Sequence, residues 1–297
     1  MEMSSFAKQS SLVFTFLLFL IQMVVLGQTP KATPWTPSHT PDGQPDVQGF
    51  WEATVGGTYD LTDPRRGGGR LGELLNEHKG IARAKKPSRI VDPPDGKVPY
   101  LPWAAAKQQD IAAHVDEPTK QEYVDPQARC LPDGVPRNLF WTGFQITQTP
   151  GYVFIVYEQN HTYRVIPLDG RPHVPSNIKL WMGDSRGHWE GNTLVVDVTN
   201  INSKSRLDNV GNFATDAVHV VERFTFSDAK TIKYEAVIDD PAVYTQTWKI
   251  AAVIVRSHQR EKNYEYWEET CHEGERNVEQ MLRLNDSAKA DTVKQKQ

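Results

Sequence analysis

Val218-His219-Val220-Val221-Glu222-Arg223-Phe224-Thr225-Phe226 is the stretch whose reading decides the fold. Successive side chains of a strand point to opposite faces. One face of this run therefore carries Val218, Val220, Glu222, Phe224 and Phe226, an apolar row interrupted by one carboxylate. The period of two, with this β-branched and aromatic content, predicts a half-buried strand.

Working outward, the same pattern recurs. Phe144 to Gln148 precedes the turn pair Pro150-Gly151, and Tyr152 to Gln159 is rich in Val, Ile, Phe and Tyr. Thr162 to Pro167 runs into the turn Leu168-Asp169-Gly170-Arg171. His188-Trp189-Glu190 leads through Gly191-Asn192 into Thr193 to Thr199, a natural hairpin because glycine supplies positive φ without steric penalty. Val218 to Ser227, Ile232 to Asp239, Thr245 to Arg256 and Tyr264 to Thr270 complete the series. Linkers are short and no helix-length pattern separates the strands, which predicts an all-β body, residues 138–284, paired antiparallel as a barrel or sandwich.

Residues 28–137 read differently. The runs PKATPWTPSHTPDGQPD, GGTYDLTDPRRGGGR and VDPPDGKVPYLP are rich in proline, which fixes its own φ and pushes its predecessor away from helix. They predict an extended arm packed on the body, with short helices at Leu71 to Ala84 and Trp103 to His114, the second starting just after Pro102. The polar residues 285–297 predict a disordered tail.

Leu12 to Leu26 is an almost unbroken apolar run after Lys8, and Val25 and Gly27 are small enough for a signal-peptidase pocket. It reads as a signal peptide over residues 1–27, cleaved before Gln28, which predicts a secreted or periplasmic protein. As a membrane anchor the run falls short of the ~20 apolar residues that a spanning helix wants, and no later segment is apolar enough to cross a bilayer. Hydrophobic residues make up 38% of the chain, enough for a packed core. The net charge of −4, with no basic run, gives no electrostatic reason to bind nucleic acid. In an exported chain the two cysteines, Cys130 and Cys271, are most simply a disulfide, stabilising by about 4 kcal/mol in the chain-entropy view. Metal ligation or a nucleophilic thiol are the alternatives, and neither cysteine lies in a CxxC pair.

Glu222 is the sharpest candidate. A carboxylate in an apolar row must be paired, hydrogen-bonded or protonated, so it is either an acid or base in a pocket or half of an ion pair with an arginine. The hairpin Glu158-Gln159-Asn160-His161-Thr162-Tyr163-Arg164 adds His161 as a general base, with Arg164 and Tyr163 as ligand contacts, unless it is an exposed tip. Leu180-Trp181-Met182-Gly183-Asp184-Ser185-Arg186-Gly187-His188-Trp189-Glu190 places Trp181 and Trp189 on either side of a turn carrying Asp184 and Arg186. Aromatics beside charged groups suit an amphipathic small molecule; the alternative is an Asp184–Arg186 staple with both tryptophans in the core. No HxH or HExxH spacing points to a metal, no GxSxG to a serine triad, and no GxGxxG or P-loop to a nucleotide, so no cofactor is expected.

The runs Ile166 to His173 (IPLDGRPH) and Trp181 to Val196 (WMGDSRGHWEGNTLVV), with Cys130-Leu131-Pro132 and Cys271-His272-Glu273-Gly274, resemble a group of uncharacterised exported proteins of soil bacteria. The likeness spans about Pro45 to Leu284 and departs at Glu275-Arg276; it implies export and a β fold, with no activity attached. Gly49-Phe50-Trp51 resembles the Gly-x-Trp signature of lipocalins, which implies a barrel with a ligand cavity.

Together these readings predict an exported β protein that binds a small amphipathic molecule such as a glycoside, polyphenol or lipid. Two alternatives stand beside it. One is an exported hydrolase, lyase or isomerase using Glu222 and His161 on carbohydrate or plant-derived material. The other is an envelope-associated structural module that docks a partner through its arm.

Overall fold

Alternation of buried and exposed side chains sets the architecture of the computed structural model. It describes residues 35–54, 60–62, 88–160, 162–257, 279–280 and 282–283. The leader, the helix expected at 71–84, His161, the strand at 264–270, Cys271 and the tail at 285–297 lie outside the described residues. The chain divides into two units, Met1–Trp35 and Thr36–Gln297, and every strand belongs to the second.

The described residues form ten strands: β1 Gly49–Ala53, β2 Ile90–Asp92, β3 Phe144–Thr149, β4 Tyr152–Tyr157, β5 Tyr163–Pro167, β6 Asp184–Glu190, β7 Thr193–Thr199, β8 His219–Asp228, β9 Thr231–Asp239 and β10 Trp248–Arg256. Nine run in the order β5-β4-β3-β1-β10-β9-β8-β7-β6, all antiparallel, and β2 adds to β10. The result is a nearly closed β-barrel, which decides between barrel and sandwich. Tight turns join β3 to β4 and β6 to β7. Gly151 (φ +75°) and Gly191 (φ +58°) supply the left-handed backbone that these connections need.

Two sequence expectations need correction. β1 and β2 come from the proline-rich zone, and β1 is a full member of the wall between β3 and β10, not part of an arm lying on it. The segment read as a turn between Trp181 and Trp189 is extended from Asp184 onward. Leu180 and Gly183 close the turn just before it, with Gly183 at φ +65°.

The interior is built from the inward row of each strand. Phe144 and Ile146, Val153 and Ile155, Leu194, Val196 and Val198, Val220, Phe224 and Phe226, Ile232 and Ile238, and Ile250 and Ile254 are all buried. At one end Trp51 meets Phe226 edge-on, and the Arg256 guanidinium lies 4.3 Å over the Trp51 ring. Gly49 makes room for that guanidinium, since a Cβ there would stand 1.9 Å from Arg256 Nη1.

The opposite end, where β5, β6, β8 and β10 begin, is covered by non-barrel chain. Helix α1 (Pro102–His114) starts at a proline, which the first turn tolerates, and buries Ala104 and Ile111. It is the single α-helix of any length among the described residues, beside short 3₁₀ turns at Gln121–Tyr123, Gln127–Arg129 and Arg137–Phe140. The last of these sends Phe140 into the barrel against Tyr234, 5.7 Å between rings. Among the described residues no helix is long and apolar enough to cross a membrane.

The wall is completed at the β5–β6 seam by side chains. Ile166 and Leu168 fill the space over Gly187, where a Cβ would lie 2.6 Å and 2.9 Å from them. Gly187→Val is therefore expected to lower stability by about 1–3 kcal/mol through overpacking, read from the urea midpoint. An unchanged midpoint would mean that β5 and β6 do not meet in solution.

Candidate functional site

Parity places Glu222 where the sequence puts it, on the inward row of β8 with no exposed surface. A lone carboxylate there would be prohibitive, and Arg164, 3% exposed on the inward row of β5, meets it. Arg164 Nη2 and Glu222 Oε2 are 2.5 Å apart. The opposite Glu222 oxygen, Oε1, accepts the Tyr234 hydroxyl at 2.7 Å. Arg164 also donates to Ser185 Oγ on β6, through Nη2 at 3.0 Å and Nε at 3.3 Å. Four strands thus contribute to one buried polar core, and its Arg164–Ser185 bonds span the seam.

Electrostatics follow from burial. Burial is the largest influence and opposes the charge on Arg164, but Glu222 and Tyr157 together outweigh it and hold the guanidinium above its ordinary value. Burial pushes the Tyr157 hydroxyl up to about 12, with the Glu222 charge adding to it and Arg164 opposing. Tyr234 is driven well up by burial and then by the same carboxylate. Both tyrosines remain neutral at physiological pH, and Tyr234 donates to Glu222.

The remaining candidates divide between the two faces of the wall. Tyr163 neighbours Arg164 but points outward and is 63% exposed. Asp184 and Arg186 lie on the outer row of β6 and pair with each other, Nη1 to Oδ1 at 2.7 Å, as in the staple reading. Trp189 points inward near Phe226, ring centres 6.1 Å apart, and Trp181 sits half-buried in the turn before β6. Glu222, Arg164 and Trp189 therefore belong to the interior, whereas Tyr163, Asp184 and Arg186 do not join them. His161 lies outside the described residues.

Several polar groups went unnoticed in the sequence. Tyr157 ends the inward row of β4, and Gln159, just past the strand, is 2% exposed. Asn138 Nδ2 donates to Thr162 Oγ1 at 3.1 Å, and that hydroxyl donates to the Gln159 carbonyl at 2.8 Å, so the three residues adjoin. Both polar side-chain atoms of Gln159 and Asn138 Oδ1 are buried without hydrogen-bond partners, whereas Arg164 also engages the Tyr157 hydroxyl. On the outer face, His173 and His219 flank Asp197, and among the described residues no group of His, Cys, Asp or Glu is arranged to hold a metal ion.

A second buried carboxylate stands in the covering layer. Asp208 accepts the Leu61 amide at 3.0 Å, the Asn212 amide at 2.9 Å and the Asn212 side-chain amide. Burial nevertheless dominates and raises it from 3.8 to about 6. Next to it, Arg137 forks onto Asp125, with both bonds at 3.0 Å. No family model, curated protein or solved structure matches the chain.

Two outcomes follow. Arg164→Met strands a buried carboxylate and is expected to lower stability by about 3–5 kcal/mol, whereas Arg164→Met with Glu222→Leu restores most of it. Urea denaturation of both variants decides this, and equal losses would show that the pair is not coupled. For Asp208 the native state holds the proton more tightly than the unfolded chain. Its contribution is complete below 3.8 and is lost as pH rises to about 6, a change of about 3 kcal/mol. The stability deficit of Asp208→Asn relative to wild type should shrink across that window, and a deficit independent of pH would contradict it.

Proposed function

We propose that this chain is an exported protein whose barrel binds a small amphipathic molecule. Export rests on the apolar run Leu12 to Leu26, ended by the small residues Val25 and Gly27. The Cys130–Cys271 disulfide belongs to the same reading, and the absence of a free cysteine among the described residues supports it.

The observation that carries the binding reading is a set of unpartnered buried polar atoms: Gln159 Oε1 and Nε2, and Asn138 Oδ1. Buried polar groups are ordinarily satisfied, so such a set marks a place for a polar guest. Its composition narrows the guest. The Arg164 charge is already matched by Glu222, so a neutral hydroxyl or carbonyl suits the site better than a second anion. Gln159 offers both a donor and an acceptor and Asn138 an acceptor, which suits a group that both donates and accepts, such as a phenol or a sugar hydroxyl. The aromatic interior of Phe144, Phe224 and Tyr234 would hold the apolar part.

Catalysis by Glu222 gains no comparable support. Both of its oxygens are engaged, by Arg164 and Tyr234, and neither meets solvent. An acid or base needs a free position next to its substrate.

Isothermal titration with naphthol, an apolar double ring bearing one hydroxyl, tests the reading. Saturable binding to the wild-type protein is expected, weakened about tenfold by Gln159→Leu, the worth of one well-made hydrogen bond. The same variant should keep or gain stability, because it removes two unsatisfied atoms. A Gln159→Leu protein that is stabilised and binds naphthol as before would assign these atoms to internal water instead.

A further inference from the structure

We infer that residues 168–174 form a pH-sensitive strap across the β5–β6 seam, held closed by protonated His173 and loosened when His173 loses its proton. The inference does not depend on the ligand reading.

Among the described residues the seam is the one place in the wall where strands meet through side chains alone, by Arg164 on Ser185 and by Ile166 and Leu168 over Gly187. The chain leaving β5 crosses this seam on the outside. Leu168 N first bonds the Gly151 carbonyl at 2.9 Å. Arg186 on β6 then donates to the Arg171 carbonyl through Nε at 3.2 Å, and to that of Pro172 through Nη2 at 2.9 Å. Val174 N donates to Asp184 Oδ2 at 3.0 Å.

Between these ties the His173 ring is inserted with a carboxylate at each nitrogen. Nδ1 lies 2.7 Å from Asp184 Oδ2 on β6, and Nε2 lies 2.8 Å from Asp197 Oδ1 on β7. Carboxylates only accept, and a neutral imidazole has one N–H and one lone pair. Both contacts are hydrogen bonds only when the ring carries both protons. With one proton gone, a lone pair faces a carboxylate oxygen at the other contact.

The charges around the ring agree with this assignment. From β6 come Asp184 and Arg186, paired with each other at 2.7 Å. From β7 comes Asp197, whose second oxygen faces His219 Nε2 of β8 at 2.9 Å. The strap itself carries Asp169 and Arg171, which are paired, and Arg171 also reaches the Tyr152 hydroxyl of β4. Arg186 offsets Asp184, so Asp197 is left for His173. A proton on Asp184 in place of the ring would displace either Val174 N or Arg186. The ring is a quarter exposed, so proton exchange with solvent is open to it. The sign follows: the protonated ring gains two partners, so the strap is firm on the acid side of the histidine titration and weakens as pH rises.

Amide hydrogen exchange on the whole protein, at about pH 5 and about pH 9 and corrected for intrinsic rates, tests this. Protection of peptides covering 168–176 and 184–190 is expected to fall about tenfold or more between the two, the scale of a charge-assisted bond. His173→Gln, which cannot carry the charge, should abolish that difference, and His219→Gln should keep it. Equal wild-type protection at both pH values, or a response surviving in His173→Gln, would overturn the strap. Should His173→Gln fail to fold, nuclear magnetic resonance of the wild type decides. The strap amides must move with the His173 ring as it titrates, and a ring that titrates without them refutes the inference.

Discussion

The Arg164–Glu222 pair is the constraint on which the rest of the barrel depends. As a source of stability a buried ion pair is a poor choice, since well-packed apolar side chains often do as well. Its value here is positional. Glu222 sits on a strand in the middle of the ladder, whereas Arg164 sits on the end strand that must find β6 without a backbone ladder to guide it. Were β5 to slip by one residue, every side chain would change face. Tyr163 would turn inward, Arg164 outward, and Glu222 would be left buried and alone. The pair therefore fixes the register of the closing strand, with Ser185 and Tyr234 holding the two charged groups in place.

The wall separates two kinds of chemistry that adjoin in sequence. Ser185, Gly187 and Trp189 look into the barrel, and Asp184, Arg186 and His188 look out. The inner set is closed off from water and works through burial. The outer set is part of a string of ionisable groups, Arg186, Asp184, His173, Asp197 and His219, that lies partly in solvent. A single strand thus couples the register-setting core to the chain that crosses the seam.

This division explains which parts were legible in the sequence. The row Val218, Val220, Glu222, Phe224, Phe226 could be read directly, because strand alternation is a local property and β8 is long. The need of Glu222 for a partner was also legible. Which arginine would supply it was not, because β5 and β8 become neighbours across the barrel only through closure. Asp184 and Arg186 read as ligand contacts or a staple within a turn, because the sequence shows a strand only from His188 onward. Started at Asp184, the same parity rule puts both on the outside and Ser185 on the inside. β1 was hidden for another reason: five residues set among prolines give too short a pattern to stand out, and only Gly49-Phe50-Trp51 signalled them. His173 showed only as the end of the run Ile166 to His173, and its place between two aspartates was not legible, since sheet pairing brings them to it.

The position of β1 has a consequence for how the molecule is assembled. Its neighbours in the wall are β3 and β10, and Gln48, just before it, receives Arg256 from 208 residues away. Every other barrel pair joins strands that follow one another along the chain. The strands β3 to β5 and β6 to β10 can therefore zip up progressively by local hairpins, but they remain two separate ladders, meeting only through side chains at the β5–β6 seam, until the first strand is fitted into the gap between β3 and β10. Closing that gap pays the loop entropy of nearly the whole body at once, so insertion of β1 is the non-local step that should set the folding rate. Until it happens, the edges of β3 and β10 are templates for any other extended chain. The strand made first is thus the last to find its place, and the interval between the two is when the protein is most exposed to pairing with its own copies.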